Sequence, residues 1–344
     1  MQLDKIAVVI LNWNGIGFLR KFLGTVVQHS ALPGCTIWVA DNGSTDGSAG
    51  WTESEHSSVK VLRFPENLGY AGGYAKALGL IDAEYFVLLN SDVEVTPGWL
   101  APLIETMEKN RFVAACQPKI LSYGNRNRFE YAGASGGFID RFGYPFCRGR
   151  IFQVTEYDNG QYDTEADIFW ASGACMAVRA EAYRKAGGLD PSFFAHMEEI
   201  DLCWRLHRLG YSIRAVPSST IYHVGGGTLR YESPGKTYLN FRNNLFMLYK
   251  NLPKKGFRGR LLARKCLDGM AALLFLLTGR LKNCAAVLRA HGDYYRAMPS
   301  LRIARDKVRQ LHPDSNNIPS TILNKSIVFM FYVRRCRQFS DLKL

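Results

Sequence analysis

The segment Tyr85–Val95, YFVLLNSDVEV, drives a continuous apolar run straight into Asn90, Ser91 and Asp92. A short apolar run bounded by turn residues predicts a strand buried on both faces, the kind found in parallel sheets covered by helices. In such a sheet the polar residues emerge at the strand's carboxyl end, where open α/β sheets bind ligands. Four more runs read the same way: Ile6–Leu11, Thr36–Ala40, Val59–Phe64 and Val113–Gln117. Helical patterns fit between them at Phe18–Gln28, Gly72–Ile81 and Trp99–Lys109. The alternation predicts an α/β fold with a right-handed, doubly wound, mostly parallel sheet.

Beyond this half the pattern changes. Residues 121–167 are rich in glycine and aromatics, which suggests long loops or a small antiparallel excursion. A helix is expected at Met197–Leu209 and a strand near Ser212–Pro217, and after Thr237 the chain turns helical and basic. The expected units are residues 1–241, with a nucleotide-binding half over about 1–120 and an acceptor half over about 121–241, and a basic helical region over 242–344.

Charge sharpens that division. Residues 1–241 hold 22 Lys and Arg against 25 Asp and Glu, whereas residues 242–344 hold 21 against 5. The whole net charge of +13 therefore comes from the final third, which points to an anionic partner for that region alone. Eight cysteines without a C-x-x-C pair fit neither a zinc site nor a disulfide framework, and read as reduced thiols in a cytoplasmic compartment. The amino terminus lacks the form of a secretory signal, and the apolar stretch Met270–Leu277 is too short to span a bilayer.

Five clusters have chemistry to offer. ADNGSTDGS (Ala40–Ser48) follows the second strand; Asp41 could accept from the imide N–H of a pyrimidine, or merely close an Asx turn while Asp46 caps a helix. NLGYAGGYAKAL (Asn67–Leu78) has glycines that miss the dinucleotide pattern G-x-G-x-x-G, yet would let backbone approach a nucleotide beside a helix start. Asp92 suits Mg²⁺ or Mn²⁺ bridging two phosphates, against the alternative of a turn cap. In GGLDPSFFAHMEEIDLCWRLHRLGY (Gly187–Tyr211), Glu198 and Asp201 share a helix face with Arg205 and Arg208. The paired acids suit a general base kept ionised by the helix N-terminus; a solvated charged face is the plainer reading. In IYHVGGGT (Ile221–Thr228), His223 is either structural or a metal ligand laid down by a flexible glycine loop.

Together these clusters resemble family 2 glycosyltransferases of GT-A fold, especially the branch with bacterial rhamnosyltransferases. The resemblance runs in order from Lys5 to Asn251 through VILNWNG, ADNGSTDGS, NLGYAGG, LLNSD, SGACMAVR, the GGLD…FF…EEIDLCWR block, YHVGGGT and FRNN (Phe241–Asn244). It implies a GT-A type sheet and inverting transfer of a sugar from a UDP- or dTDP-linked donor. Trp13 and Asp41 would hold the nucleoside, with Asn67 and Gly69 nearby; Ser91 would lie near the sugar or ribose, and Trp170 and Gly173 would line the donor–acceptor space. Asp92 and His223 would bind the divalent metal, Mg²⁺ or Mn²⁺. Glu199 matches the family's general base, with Glu198 and Asp201 as substitutes. Two positions depart from the family pattern: Asn90 begins the metal motif in place of Asp, and Glu199 replaces the usual Asp.

Other classes remain in view. A non-catalytic nucleotide-sugar or glycan-binding protein would draw on those two departures. A sugar-nucleotide nucleotidyltransferase would need a basic glycine-rich loop after the first strand, and Asn12-Trp13-Asn14-Gly15 has none. Nucleic acid is not an expected partner, since no recognised module accompanies the charge. The expected acceptor is a glycan or lipid-linked glycan. The basic region, with its apolar patches Met270–Leu277 and Ile327–Val333, is expected to dock on the anionic inner face of the cell membrane.

Overall fold

A computed structural model describes residues 4–225, 233–311 and 319–342. The amino-terminal half alternates β1 (Asp4–Asn12), α1 (Ile16–His29), β2 (Cys35–Asn42), α2 (Ser48–Glu55), β3 (Lys60–Phe64), α3 (Gly69–Leu80) and β4 (Ala83–Asn90). Then come β5 (Val93–Val95), α4 (Leu100–Lys109) and β6 (Val113–Ser122). Next along the chain lie β7 (Gly137–Asp140), β8 (Pro145–Cys147), β9 (Arg150–Ile151), β10 (Val154–Thr155), β11 (Ala166–Ile168) and β12 (Cys175–Arg179). They are followed by α5 (Ala180–Lys185), α6 (Glu198–Arg208) and β13 (Ser212–His223).

The main sheet runs β11-β13-β6-β12-β4-β1-β2-β3, with β5 paired to β13. β3, β2, β1 and β4 are mutually parallel, as the apolar runs predict, while β12 lies antiparallel between β4 and β6. Both faces of this sheet are covered. Along β1, Ala7 and Val9 enter one core while Ile6, Val8 and Ile10 enter the other, so residues 6–10 are all buried and only Leu11, at the run's end, is partly exposed. Burial on two faces explains why the sequence shows continuous rather than alternating hydrophobicity.

The same register sets up the site. Asn12 pairs opposite Asp41 and Leu11 opposite Asn90, which brings three polar strand ends to one edge. The antiparallel excursion expected within 121–167 is a second sheet, β10-β9-β8-β7, completed by a strand from the carboxyl-terminal region, Ile322–Leu323.

That region comprises α7 (Pro234–Asn251), α8 (Phe257–Leu277), α9 (Leu281–Arg296), α10 (Met298–Leu311), β14 (Ile322–Leu323) and α11 (Ile327–Tyr332). Position 242, where the charge changes, falls inside α7. Asn243, Asn244, Lys250 and Asn251 on that helix are buried against the rest of the chain. β14 pairs with β7, and the Ile327 N–H donates to Asp140 across 2.9 Å. Ile327 and Phe331 are fully buried there, so the patch Ile327–Val333 is in part spent on internal packing, while Phe329, Tyr332 and Val333 stay exposed. No described helix is long and apolar enough to cross a membrane.

Candidate active site

The first polar turn forms a tight net. Asn12 Nδ2 donates to Ser48 Oγ (2.8 Å) and approaches Asp41 Oδ1 (3.5 Å), while Asp41 Oδ2 accepts from the Ser44 N–H (3.2 Å). Asp41 therefore does close the turn, but its Oδ1 has only that one long contact. Asp46 does not simply cap α2; it also accepts from the Ile16 N–H (2.9 Å), tying the loop to the start of α1. Trp13 stands 46% exposed beside this loop, and Asn14 takes a left-handed φ of 49°. A Cβ on Gly15 would fall 2.4 Å from Asn12 Oδ1 and 3.4 Å from Ser91 Oγ, so Asn12 and Ser91 meet over that glycine.

The second turn is bound to the acid-bearing loop. Asn67 Oδ1 accepts from the Gly69 N–H (2.8 Å) and from Asn42 Nδ2 (3.0 Å). Gly69 has φ +73°, and a Cβ there would lie 2.4 Å from the Phe194 ring. The next residue but one, Ala71, donates its N–H to the Phe194 carbonyl at 3.0 Å. Tyr70, half-buried alongside, donates to the Gly173 carbonyl (2.6 Å), and the neighbouring Ala174 carbonyl accepts from the Asn90 N–H (3.0 Å). Asn67, Gly69, Gly173 and Asn90 thus belong to one connected wall. Trp170 serves that wall from behind: its indole N–H donates to the Phe138 carbonyl (2.9 Å) and its ring covers Gly137. Trp170 is buried, so the expectation that it lines the substrate space is corrected to a supporting role.

Asp92 and His223 come together because β5 pairs with β13, setting His223 opposite Val93 and letting the Val224 N–H donate to the Asp92 carbonyl (3.0 Å). His223 is the last residue of a long strand rather than part of a flexible glycine loop; residues 226–228 of that loop lie outside the described residues. Its Nε2 lies 3.1 Å from Asp92 Oδ1 and 3.4 Å from Asn90 Nδ2. On the other side, Nδ1 lies 3.2 Å from Glu130 Oε2, an ion-pair contact without ideal hydrogen-bond angles. Burial alone would lower the imidazole's pKa, but Glu130 and Asp92 outweigh it and raise it to about 10. Two buried carboxylates thus stabilise one buried cation. A separation of 3.1 Å between Nε2 and Oδ1 is also that of adjacent ligands in an octahedron with bonds of about 2.1 Å. A divalent metal would take the place of the Nε2 proton between His223 and Asp92, so the pair fits a metal with the imidazole neutral, and Glu130 would orient the ring as carboxylates commonly do. Glu130 was not a sequence candidate.

The acidic pair sits at the N-terminus of α6 behind a strained approach. Phe194, His196 and Met197 have φ of 63°, 70° and 73°, conformations that side-chain-bearing residues rarely adopt and that persist only when neighbours fix them. The fixing groups come from α7. Asn243 Nδ2 lies within 2.7–2.8 Å of the carbonyls of Phe193, Ala195 and His196, and Arg242 donates to those of Ser192 and Phe193 at 3.0 Å. Glu198 and Glu199 each keep one carboxyl oxygen buried without a hydrogen-bond partner. Burial pushes Glu199 up to about 7 and, with the added repulsion of Glu199, pushes Glu198 well above its usual range. The helix N-terminus does not keep them ionised, as was expected; desolvation wins.

Asp201 behaves differently. It is fully buried and accepts from Arg205 (2.8 and 3.0 Å), Lys250 (2.9 Å) and Asn251 (2.7 Å). Three of these donors hold Oδ2 and one holds Oδ1, and with the side chain fully buried Asp201 is a structural anion set away from any substrate, so it leaves the list of bases. The face shared by Asp201 and Arg205 is a buried ion pair, not a solvated surface.

A family model described as glycosyl transferase family 2 matches residues 7–187. The N-acetylglucosaminyl-diphospho-decaprenol L-rhamnosyltransferase of Mycobacterium tuberculosis is 26% identical over 236 residues, covering 64% of this chain and 76% of that protein. A low-salt glycan biosynthesis hexosyltransferase of Haloferax volcanii is 24% identical over 249 residues, covering 70% and 75%. Among solved structures, S. aureus TarS in complex with UDP-GlcNAc superposes with TM-score 0.56 at 14% identity, covering 90% of this chain and 89% of that one. The mannosyltransferase PcManGT from Pyrobaculum calidifontis, in complex with GDP-Man and Mn²⁺, gives 0.51 at 13% identity, covering 92% and 89%. The fold is that of the GT-A glycosyltransferases, and the chain belongs to glycosyl transferase family 2.

Proposed function

We propose that this glycosyltransferase moves a hexosyl or deoxyhexosyl group from a UDP- or dTDP-linked donor to a hydroxyl of a lipid-linked glycan, with inversion at the anomeric carbon. The observation that supports this best is Glu199: a carboxyl group with one oxygen unpartnered, raised to about 7, at the mouth of a strained loop bonded directly to the 67–71 turn. A base with a pKa near ambient pH is well matched to removing an acceptor hydroxyl proton. With one carboxylate serving as base and no second nucleophile assigned, a single displacement follows.

In this reading Asp41 Oδ1 receives the pyrimidine imide N–H and the exposed Trp13 ring covers the base. Asn67 and Gly69 keep backbone close to the nucleotide, Ser91 lies near the ribose or sugar, and Gly173 leaves room between donor and acceptor. Asp92 and His223 hold Mg²⁺ or Mn²⁺, which when bound neutralises charge on the leaving diphosphate. Glu198 is more deeply buried than Glu199, and burial together with the repulsion of Glu199 pushes its carboxyl well above its usual range, so it shapes the base's surroundings instead of replacing it. Support for the acceptor comes from the mycobacterial relative, a rhamnosyltransferase named for a lipid-linked sugar, and from the basic, partly apolar carboxyl-terminal region, which suits a cytoplasmic membrane surface.

A thermal-shift panel of UDP- and dTDP-sugars with and without Mn²⁺ tests the donor reading. One donor raising Tm in a metal-dependent way is the expected result. No shift with any nucleotide sugar, while the protein remains folded, would oppose it.

A further inference from the structure

Helix α8 is built inside out. Its protein-facing side carries Leu261, Arg264, Asp268 and Ala272, all buried. Arg264 Nε donates to Asp268 Oδ1 (2.7 Å), the His291 ring meets Asp268 Oδ2 (3.1 Å), and the guanidinium lies 3.9 Å from the centre of the Tyr144 ring. The outward side carries Leu262, Met270, Leu273 and Leu277, exposed by 64%, 65%, 54% and 76%. Their spacing follows one helical face and marks a stripe about 22 Å long. Leu274 and Leu276 are exposed beside it, and Leu281 and Leu288 extend the surface onto α9. A water-facing helix puts its apolar stripe inward and its charges outward. Here the order is reversed, and scattered single leucines, which are unremarkable, do not describe a continuous stripe.

We propose that this outer face of the α8–α9 hairpin is the membrane-docking element, lying flat in the interface of an anionic bilayer. The proposal deepens the reading of a lipid-linked acceptor and rests on it. Charge selects the occupant. Lys254, Lys255 and Arg258 are exposed at the amino end of the stripe and Lys282 beyond its carboxyl end, so basic side chains bracket the apolar surface. Lys254, Arg258 and Arg309 also line an open cleft of about 300 Å³ at the start of α8, able to receive an anionic headgroup. An apolar stripe flanked by Lys and Arg is what an interfacial helix presents to anionic lipid. A second copy of this chain would bring the same positive charge to the same place and be repelled. In the patch around Ile327, Ile327 and Phe331 are internal while Phe329, Tyr332 and Val333 are exposed, on a six-residue helix too short to present a comparable stripe.

Flotation of the full chain with vesicles of phosphatidylglycerol and phosphatidylcholine, and with phosphatidylcholine alone, tests this without any substrate. The expected result is flotation with the anionic vesicles, weakened by salt, and partition lowered roughly ten-fold or more in Leu273→Glu/Leu277→Glu. The variant should keep its circular-dichroism melt and its metal-dependent donor shift. Flotation of the double variant equal to that of the parent chain would overturn the assignment of the hairpin, and no flotation of the parent would overturn docking. Light scattering that shows a dimer of the parent, dispersed in the variant and without vesicle binding, would give the surface to a second copy instead. Because donor binding is read separately, loss of docking leaves the catalytic reading standing, and loss of the donor shift leaves docking standing.

Discussion

The amide of Ala71 donates to the carbonyl of Phe194 across 3.0 Å, joining the turn after β3 to the loop that presents the acidic pair. Two residues earlier in the first loop, Gly69 faces the Phe194 ring so closely that a Cβ would lie 2.4 Å from it. The proposed donor wall and the proposed base are therefore set by one short span of backbone. Gly69→Ala should lower both stability and turnover. Its φ of +73° disfavours any side chain, and the ring or its strained backbone must move. A loss of more than about 1 kcal/mol in chemical denaturation, with a raised KM for donor, is expected. An unchanged melt and KM would mean that the two loops are not coupled.

Replacing Glu199 by Gln should leave donor binding intact and lower kcat by roughly two to four orders of magnitude, the usual contribution of a general base. Glu198→Gln should cost far less, because that carboxyl is the more deeply buried of the two and burial pushes it away from the ionised form a base needs. A larger loss for Glu198→Gln would transfer the role to it.

The same assignment fixes a pH profile. Glu199 must be ionised to accept a proton, and burial raises its pKa to about 7. The rate should therefore rise with pH on an acid limb near 7 and level off above it. Glu198→Gln should retain that limb. A profile flat from pH 5 to 8 would separate Glu199 from the proton transfer.

Asp201→Asn should act on stability. It leaves Arg205 and Lys250 short of a charge inside the protein, a loss of about 3–5 kcal/mol when one partner of a buried pair is removed. Turnover per folded molecule should fall much less than in Glu199→Gln. An undiminished melting temperature with abolished kcat would contradict this division.

Asp92→Ala should abolish metal-dependent transfer while leaving the fold intact, with His223→Ala costing less. Glu130→Gln should weaken Mn²⁺ binding by about 10–100-fold, as for other residues that orient a ligating histidine. Calorimetric titration with Mn²⁺ reads this directly, and affinity equal to that of the parent chain would remove Glu130 from the metal site.

Much of this site was legible because apolar strands end abruptly. Asp41 and Asp92 follow runs whose continuous hydrophobicity marks them as central strands, and a doubly wound sheet brings such ends to one edge. Glu130 gave no such signal. It lies in glycine- and aromatic-rich sequence without periodicity, and meets His223 only through long-range folding. Asn243 was visible within FRNN, but its work on the carbonyls of residues 193–196 depends on where α7 lands. Charge counting identified a basic final third, yet could not reveal that α7 completes the catalytic half. Asp201 misled because a helix wheel cannot tell a solvated charged face from a buried one. Trp170 misled because sequence proximity to SGAC says nothing about which side of the wall its ring takes.

The central claim is inverting transfer by Glu199, and the stereochemistry of the product tests it most directly. The purified chain, Mn²⁺, the donor identified by thermal shift and a short-chain polyprenyl-diphosphate glycan should yield a product whose new anomeric centre, read by NMR coupling, is opposite to the donor's. Glu199→Gln should abolish that signal while still binding donor. A product with retained configuration, or tight donor binding with neither transfer nor hydrolysis, would contradict the account.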